Sequence, residues 1–315
     1  MSIRLVLGAG EIGRPLVHRL AAAVEEVRVA TRSGSPVVGA RSLRLDAGDA
    51  DAVTRAAEGA ATIFLCTNPP YQDWPRAWPP IFAAVVDAAR RTGADLVAMG
   101  NLYPYGAVTA PMTEHSAERT TERKGLVRMA GWAAMREASQ RGEIRAVEVR
   151  ASDYFGPGAG PTAQLGDRFF RPLLAGRRAF VVGDPFQVHS WSYLPDIVTT
   201  LVAAAEHGGT WSRVWHVPSP ARTRVEIADE VGARTGLPAR VSGYPAPLLT
   251  ALGWVSPFLR EVAASSYQFR GAPFVIDASE TSRLLGVTET PWDDAREATL
   301  ASYRARRDDP GSALV

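Results

Sequence analysis

Residues 8–13 read Gly8-Ala9-Gly10-Glu11-Ile12-Gly13, directly after the apolar run Ile3-Arg4-Leu5-Val6-Leu7. In a strand–turn–helix each glycine has a physical task. Gly8 permits the sharp turn, Gly10 lets backbone approach a pyrophosphate, and Gly13 lets helix and strand pack closely. The helix N-terminus beyond Glu11 and Ile12 offers free N–H groups and partial positive charge to phosphate oxygens. The chemistry expected here is therefore dinucleotide binding. Arg14 to Leu20 supports it, with apolar residues at helical spacing and Pro15 in the first turn, where proline is tolerated.

The next strand, 27–31, should end near an adenosine ribose. An NAD site usually places Asp or Glu there to accept from the 2′-hydroxyl. This chain has Thr31-Arg32-Ser33. A guanidinium pairs with a phosphate and cannot accept from a hydroxyl, so NADP is expected over NAD. A solvated surface arginine is the competing reading, because 34 of the 35 basic residues are arginine.

The remaining chemistry-bearing types exclude several classes. Cys66 is the only cysteine, which rules out an internal disulfide framework and suggests a buried, reduced thiol. The five histidines show no i, i+4 pairing and lie near no cysteine, so no metal site is expected. No GxSxG elbow is present. A net charge of +2 with dispersed basic residues gives no nucleic-acid footprint. The apolar stretch 245–264 is broken by Pro247, Gly253, Pro257 and Arg260-Glu261, so no membrane span is expected. With 46% hydrophobic and 22% charged residues and no signal-peptide layout, the expectation is a cytoplasmic globular protein.

The elements that must position these groups alternate. Strands are expected at 3–7, 27–31, 43–46, 62–66, 96–99 and 145–150. Helices are expected at 14–20, 50–57, 81–91 and 132–141, with a proline-rich loop over 68–80. This rhythm predicts an α/β fold with a doubly wound parallel sheet and right-handed crossovers. After Gly156-Pro157 it becomes irregular, with strands expected at 180–182 and 211–217, a helix at 225–235 and a proline-rich departure over 236–257. Two domains are expected: a Rossmann domain over 1–160 and a mainly substrate-binding region over 161–315. Segments near 190–235 would return to the first, and the tail 308–315 would be frayed. Asp196 is expected to cap a helix over 197–205. Trp74 and Trp78 lie at the carboxyl edge of the sheet, where ligands bind. His189 leads into the Tyr193…Asp196 segment near the expected substrate cleft.

In order along the chain stand Asp46 with Asp49, Tyr103-Pro104-Tyr105-Gly106, Pro111-Met112-Thr113-Glu114, Arg150 to Pro157, and Ser192 to Val198. Together with the glycine loop they resemble the extended short-chain dehydrogenase/reductase superfamily, specifically its NAD-dependent epimerase/dehydratase branch. The resemblance covers nearly the whole chain. It implies a Rossmann fold and a nicotinamide cofactor held by the glycine loop, Thr31-Arg32, Asp46-Ala47, and Thr67-Asn68-Pro69 after the fourth strand. It also implies a small-molecule substrate near Trp74, Trp78, Tyr154 and His189. The helices at 81–91 and 124–141 resemble the pair that often dimerises in the family, so a homodimer is a further expectation.

The departures fall on the chemistry. The family's proton donor is a tyrosine four residues before a lysine, with a serine or threonine near the fifth strand. Lys124 is the only lysine, so no Tyr-x-x-x-Lys exists in the chain. Anchoring on Gly125 puts Lys124 at the tyrosine's place and Arg128 at the lysine's. Counting back four from Tyr105 puts Asn101 where the serine or threonine should be. Lys124 beside Arg128, partly desolvated, would lose affinity for its proton and could donate it. Lys124 and Arg128 would also hold the cofactor. Asn101 could steady a substrate oxygen. Tyr103 and Tyr105 are alternative donors, Tyr105 with packing as its competing reading. The expected function is an atypical NADP-dependent oxidoreductase acting on a small organic carbonyl or alcohol. The alternatives are a dinucleotide-binding sensor without chemistry, or a non-redox isomerase, epimerase or lyase on the same fold.

Overall fold

The computed structural model describes residues 3–23, 26–245 and 257–308. Seven parallel strands form the central sheet: β1 (Ile3–Leu7), β2 (Glu26–Thr31), β3 (Arg41–Arg44), β4 (Ala60–Leu65), β5 (Asp95–Asn101), β6 (Ala146–Ala151) and β11 (Arg213–His216). Their spatial order is β11-β6-β5-β4-β1-β2-β3. The doubly wound Rossmann expectation is met. β1 lies near the centre, pairing with β2 on one side and β4 on the other. Side chains of a strand alternate between faces, and here both faces are buried. Leu5 and Leu7 face one helical layer, and Val6 faces the other.

The first layer is α2 (Ala50–Ala57), α3 (Trp74–Thr92) and α4 (Arg123–Gln140). The second holds α1 (Gly13–Ala21) and α6 (Leu194–Glu206). Asp49 caps α2 by accepting from Ala52 N at 3.0 Å. Glu122 caps α4 by accepting from Lys124 N and Gly125 N, both at 3.1 Å.

The helix expected at 81–91 begins at Trp74 instead, inside the stretch read as loop. Pro75 sits in its first turn and Pro79 and Pro80 inside it. Internal proline costs about 3 kcal/mol by lost hydrogen bonding and crowding. Trp74, Trp78, Ile81, Phe82 and Val85 nevertheless bury one continuous stripe, which outweighs the local penalty.

A smaller lobe packs Phe155, Phe169, Phe170, Trp191, Ile227 and Tyr303 into its own core. Its helices are α5 (Asp167–Leu174), α7 (Arg224–Thr235) and α10 (Trp292–Asp308). Short strand pairs frame it. These are β7 (Tyr154–Phe155) with β10 (Ser192–Tyr193), β8 (Ala179–Val181) with β13 (Val241–Gly243), and β9 (His189–Ser190) with β12 (Ala221–Arg222). α8 (Pro257–Ala264) and α9 (Ser279–Leu285) lie in the C-terminal part. Most of the proline-rich stretch, 246–256, and the tail 309–315 lie outside the described residues.

Asp196 does not cap α6. It lies in the first turn, and its carboxylate accepts from Thr290 N at 2.8 Å and Thr290 Oγ1 at 2.6 Å. Among the described residues no helix is long and apolar enough to cross a membrane.

Candidate functional site

The carboxyl ends of β1, β2, β4, β5 and β6 open on one cleft of about 1400 Å³. Pockets for a single small molecule usually measure about 300–1,000 Å³, so this cleft has room for two ligands side by side.

The glycine loop forms its floor. Gly8 adopts φ +102°, and a Cβ there would stand 2.7 Å from Thr67 N. A Cβ on Gly13 would meet Gly8 O at 2.0 Å. These two glycines permit backbone-on-backbone packing. Gly10 differs: nothing lies within 4 Å of its missing Cβ, and it lines the cleft. The start of α1 has no side-chain cap, and although Arg14 N donates to Gly10 O at 3.1 Å, the N–H groups ahead of it are available to a ligand. Loop and helix thus fit a pyrophosphate. Glu11 lines the cleft and braces the loop: its Oε1 accepts from Gly160 N at 3.1 Å and Thr162 Oγ1 at 3.3 Å. Tyr154 lines the cleft nearby, kept protonated by burial and by Glu11.

At the adenosine end Thr31, Arg32, Asp46 and Ala47 line the cleft. Arg32 is exposed, with no ion-pair partner among the described residues. Asp46 accepts from Gly48 N at 2.9 Å, and Asp49 is occupied as the cap of α2. Thr67, Asn68 and Pro69 form the wall after β4.

At the opposite end, Asn101, Tyr103 and Arg128 come together as expected neighbours, and all three line the cleft. Asn101 Oδ1 accepts from Tyr103 N at 3.1 Å, while its amide nitrogen has no hydrogen-bond partner among the described residues. Arg128 donates Nη2 to Met99 O at 2.6 Å and to Glu148 at 3.1 Å. Its guanidinium lies 4.4 Å from the centroid of Trp78. Glu148 also receives Arg150 Nε at 2.7 Å, and Gly100 leaves the space this buried carboxylate fills. Trp74 and Trp78 line the cleft from the first turns of α3, not from a loop.

Besides Gly13, which packs against Gly8 O, two expected site residues do not line the cleft. Lys124 is fully buried and donates Nζ to Glu261 O at 2.6 Å and Ser265 Oγ at 2.5 Å. Burial pulls its pKa down, while Glu122 and Glu261 oppose the shift. Its ammonium rests 4.9 Å and 5.3 Å from the ring centroids of Tyr71 and Tyr103, which stand between it and the open volume. The segment that follows α8 closes over it. Gly125 confirms the tightness of this turn, since a Cβ there would meet Thr120 Oγ1 at 2.3 Å.

His189 is the second. It lies in β9, buried between Phe269 and Phe274, with centroids 4.7 Å and 5.4 Å away. Its Nε2 lies 3.0 Å from Asp153 Oδ2 and 3.2 Å from Ser152 Oγ. Asp153, not His189, lines the cleft. Tyr105 is also enclosed, its hydroxyl 2.7 Å from His216 Nε2.

The sequence reading missed Tyr71 and Asp153. Both had a signal: Tyr71 follows Pro69-Pro70 at the carboxyl edge, and Asp153 falls between Arg150 and Gly156-Pro157. Among the described residues no group of three or more His, Cys, Asp or Glu could hold a metal ion.

The fold recurs among solved structures. MoeE5 in complex with UDP-glucose and NAD matches with a TM-score of 0.80 at 19% identity, covering 98% of this chain and 100% of that one. UDP-glucuronic acid 4-epimerase from Bacillus cereus, bound to UDP-glucuronic acid and NAD, gives 0.76 at 16% identity, covering 96% and 99%. dTDP-glucose 4,6-dehydratase from Bacillus anthracis, in complex with NAD, gives 0.80 at 12% identity, covering 98% of each chain. No curated protein sequence matches. The sequence profile described as the NAD dependent epimerase/dehydratase family matches residues 4–215, two-thirds of the length, and the chain belongs to that family.

Proposed function

We propose that this chain is an oxidoreductase that binds a nicotinamide dinucleotide, NADP in preference to NAD, and acts on a small organic carbonyl or alcohol. The observation that carries the reading is one continuous cleft. The open face of Gly10 lies at its floor, Arg32 at one end, and Asn101, Tyr103 and Arg128 at the other. NAD in the similar structures supports a nicotinamide dinucleotide; the preference for the 2′-phosphate rests on Arg32 alone.

The loop from Gly8 to Gly13 would hold the pyrophosphate, and Thr31 with Arg32 the phosphorylated ribose. When bound, the nicotinamide supplies hydride exchange with carbon. Asn101 would steady the substrate oxygen through its amide N–H, and the phenols of Tyr71 and Tyr103 would supply its proton. Arg128 stays charged and acts by position only.

The burial of Lys124 favours a second reading, a dinucleotide-binding sensor without turnover. Calorimetric titration with NADP and NAD tests the first step: NADP is expected to bind more tightly, and no binding of either at millimolar concentration overturns the proposal. A substrate-dependent change in nicotinamide absorbance then separates reductase from sensor. Conversion without net change in that absorbance would mark an isomerase instead.

A further inference from the structure

At the Asn101 end of the cleft, beyond the reach of the glycine loop, the wall is aromatic with one carboxylate set in it. Asp153 follows β6 and lines the cleft. His189 Nε2 holds its Oδ2 at 3.0 Å, while Oδ1 has no hydrogen-bond partner among the described residues. Tyr71, Tyr103, Phe269 and Phe274 line the same volume. The charge of Asp153 reaches the phenols of Tyr71 and Tyr103, adding to the burial that holds them protonated. At the mouth Phe180 and Tyr244 stack with centroids 5.5 Å apart, both substantially exposed.

The cations around this wall are already engaged. Lys124 has its two hydrogen bonds and the carboxylates of Glu122 and Glu261, each 3.8 Å away. Arg128 is held by Met99 O and Glu148. Arg224 feels the charge of Asp153 without pairing to it. It donates to Val182 O and Asp184 O, lies 4.5 Å from the Phe269 ring, and does not line the cleft. Among the described residues only Arg168, exposed on α5, remains at the opening.

A diphosphate entering this end would meet the Asp153 carboxylate in the wall, with Arg168 at the opening as its one unengaged guanidinium among the described residues. A protonated amine would meet Oδ1 and the negative faces of the rings. Such a cation gains about 0.5–1 kcal/mol per exposed ring contact and more when desolvated. Relatives in complex with UDP-glucose or UDP-glucuronic acid hold ligands of the opposite charge.

We infer that the substrate end of this cleft takes a compound with a protonated amino group on a flat apolar body, the amine received by Asp153. The inference rests on the dinucleotide reading above, since that reading makes this end the substrate's.

The test compares tyramine with tyrosol, two molecules of nearly the same shape with ammonium in one and hydroxyl in the other. Each is titrated into protein saturated with NADPH, and UDP-glucose is added as a competitor. Tyramine is expected to bind at least about tenfold more tightly, and Asp153→Asn to reduce that advantage to about twofold. UDP-glucose should not displace it. Tyr71→Leu, which leaves the carboxylate in place, should weaken tyramine more than tyrosol. Equal binding, preference for tyrosol, failure of both to bind the NADPH-loaded protein, an advantage that survives Asp153→Asn, or displacement by UDP-glucose overturns the inference. Should NADPH itself fail to bind, the dinucleotide reading falls, and the same comparison on the free protein still decides whether Asp153 selects a cation.

Discussion

The phenolic oxygens of Tyr71 and Tyr103 stand 3.2 Å apart, joining the segments that follow β4 and β5. The Lys124 ammonium lies against both rings. Burial raises both phenol pKa values, so at neutral pH they can give a proton but do not readily take one.

Lys124→Ala follows directly. It leaves Glu122 and Glu261 without their common cation. Breaking one side of a buried ion pair typically destabilises by about 3–5 kcal/mol. We expect a lower melting temperature and turnover reduced by at least about tenfold, with dinucleotide affinity changed by less than about threefold. Unchanged turnover, measured beside a calorimetric titration, would remove Lys124 from the proton chemistry.

Arg32 should decide between the two dinucleotides. A charge-assisted hydrogen bond is worth about 1.5–3 kcal/mol, so Arg32→Ser is expected to weaken NADP about tenfold or more and leave NAD within about twofold. Equal losses for both would mean that Arg32 does not contact the 2′-phosphate.

The glycines of the loop should separate folding from binding. Gly10→Ala has open space, so the folded protein should keep its melting temperature while dinucleotide affinity collapses. Gly13→Ala drives a methyl toward Gly8 O at 2.0 Å and should lower the melting temperature itself. Thermal melts with and without NADPH read both effects. A Gly10→Ala protein that binds normally would contradict the placement of the phosphates.

His216 should make the fold acid-sensitive. Its Nε2 accepts from Tyr105, its Nδ1 lies 3.3 Å from Asp277 O, and burial first, with Arg150 second, holds its pKa down to about 3. Below its unfolded value of about 6.5 the open chain takes up a proton that the folded chain refuses. The stabilisation is therefore complete above that pH and is lost as pH falls toward 3, by about 1.4 kcal/mol per pH unit. Melts between pH 7 and 5 should show this slope, and His216→Phe should flatten it.

How legible this was depends on whether a signal is local. β1, the glycine loop and α1 were readable because strand, turn and helix each follow from adjacent residues. The start of α3 was not, because Pro75, Pro79 and Pro80 argue for loop and only the buried face of Trp74 and Trp78 argues otherwise. Asn101, Tyr103 and Arg128 are placed at the cleft by the family resemblance, through their offsets from Gly125 and Tyr105. Lys124 and His189 were misplaced because their environments come from far along the chain. Glu261 and Ser265 cover the first, and Phe269 and Phe274 enclose the second. Asp153 gained its position through that same enclosure.

The last strand of the sheet has a consequence for synthesis. β11 pairs with β6, but β7 to β10 and α5 of the smaller lobe, and then α6, come between the two in sequence. A chain emerging from the ribosome presents the free edge of β6 until Arg213 to His216 arrive. That edge carries Val147, Val149 and Ala151 on one face and Glu148 and Arg150 on the other, and its unpaired N–H and C=O groups pair readily with other strands, as exposed edges do. The two lobes are thus interdependent during translation. Shortening the chain before residue 213 should yield aggregates rather than an independent nucleotide-binding half.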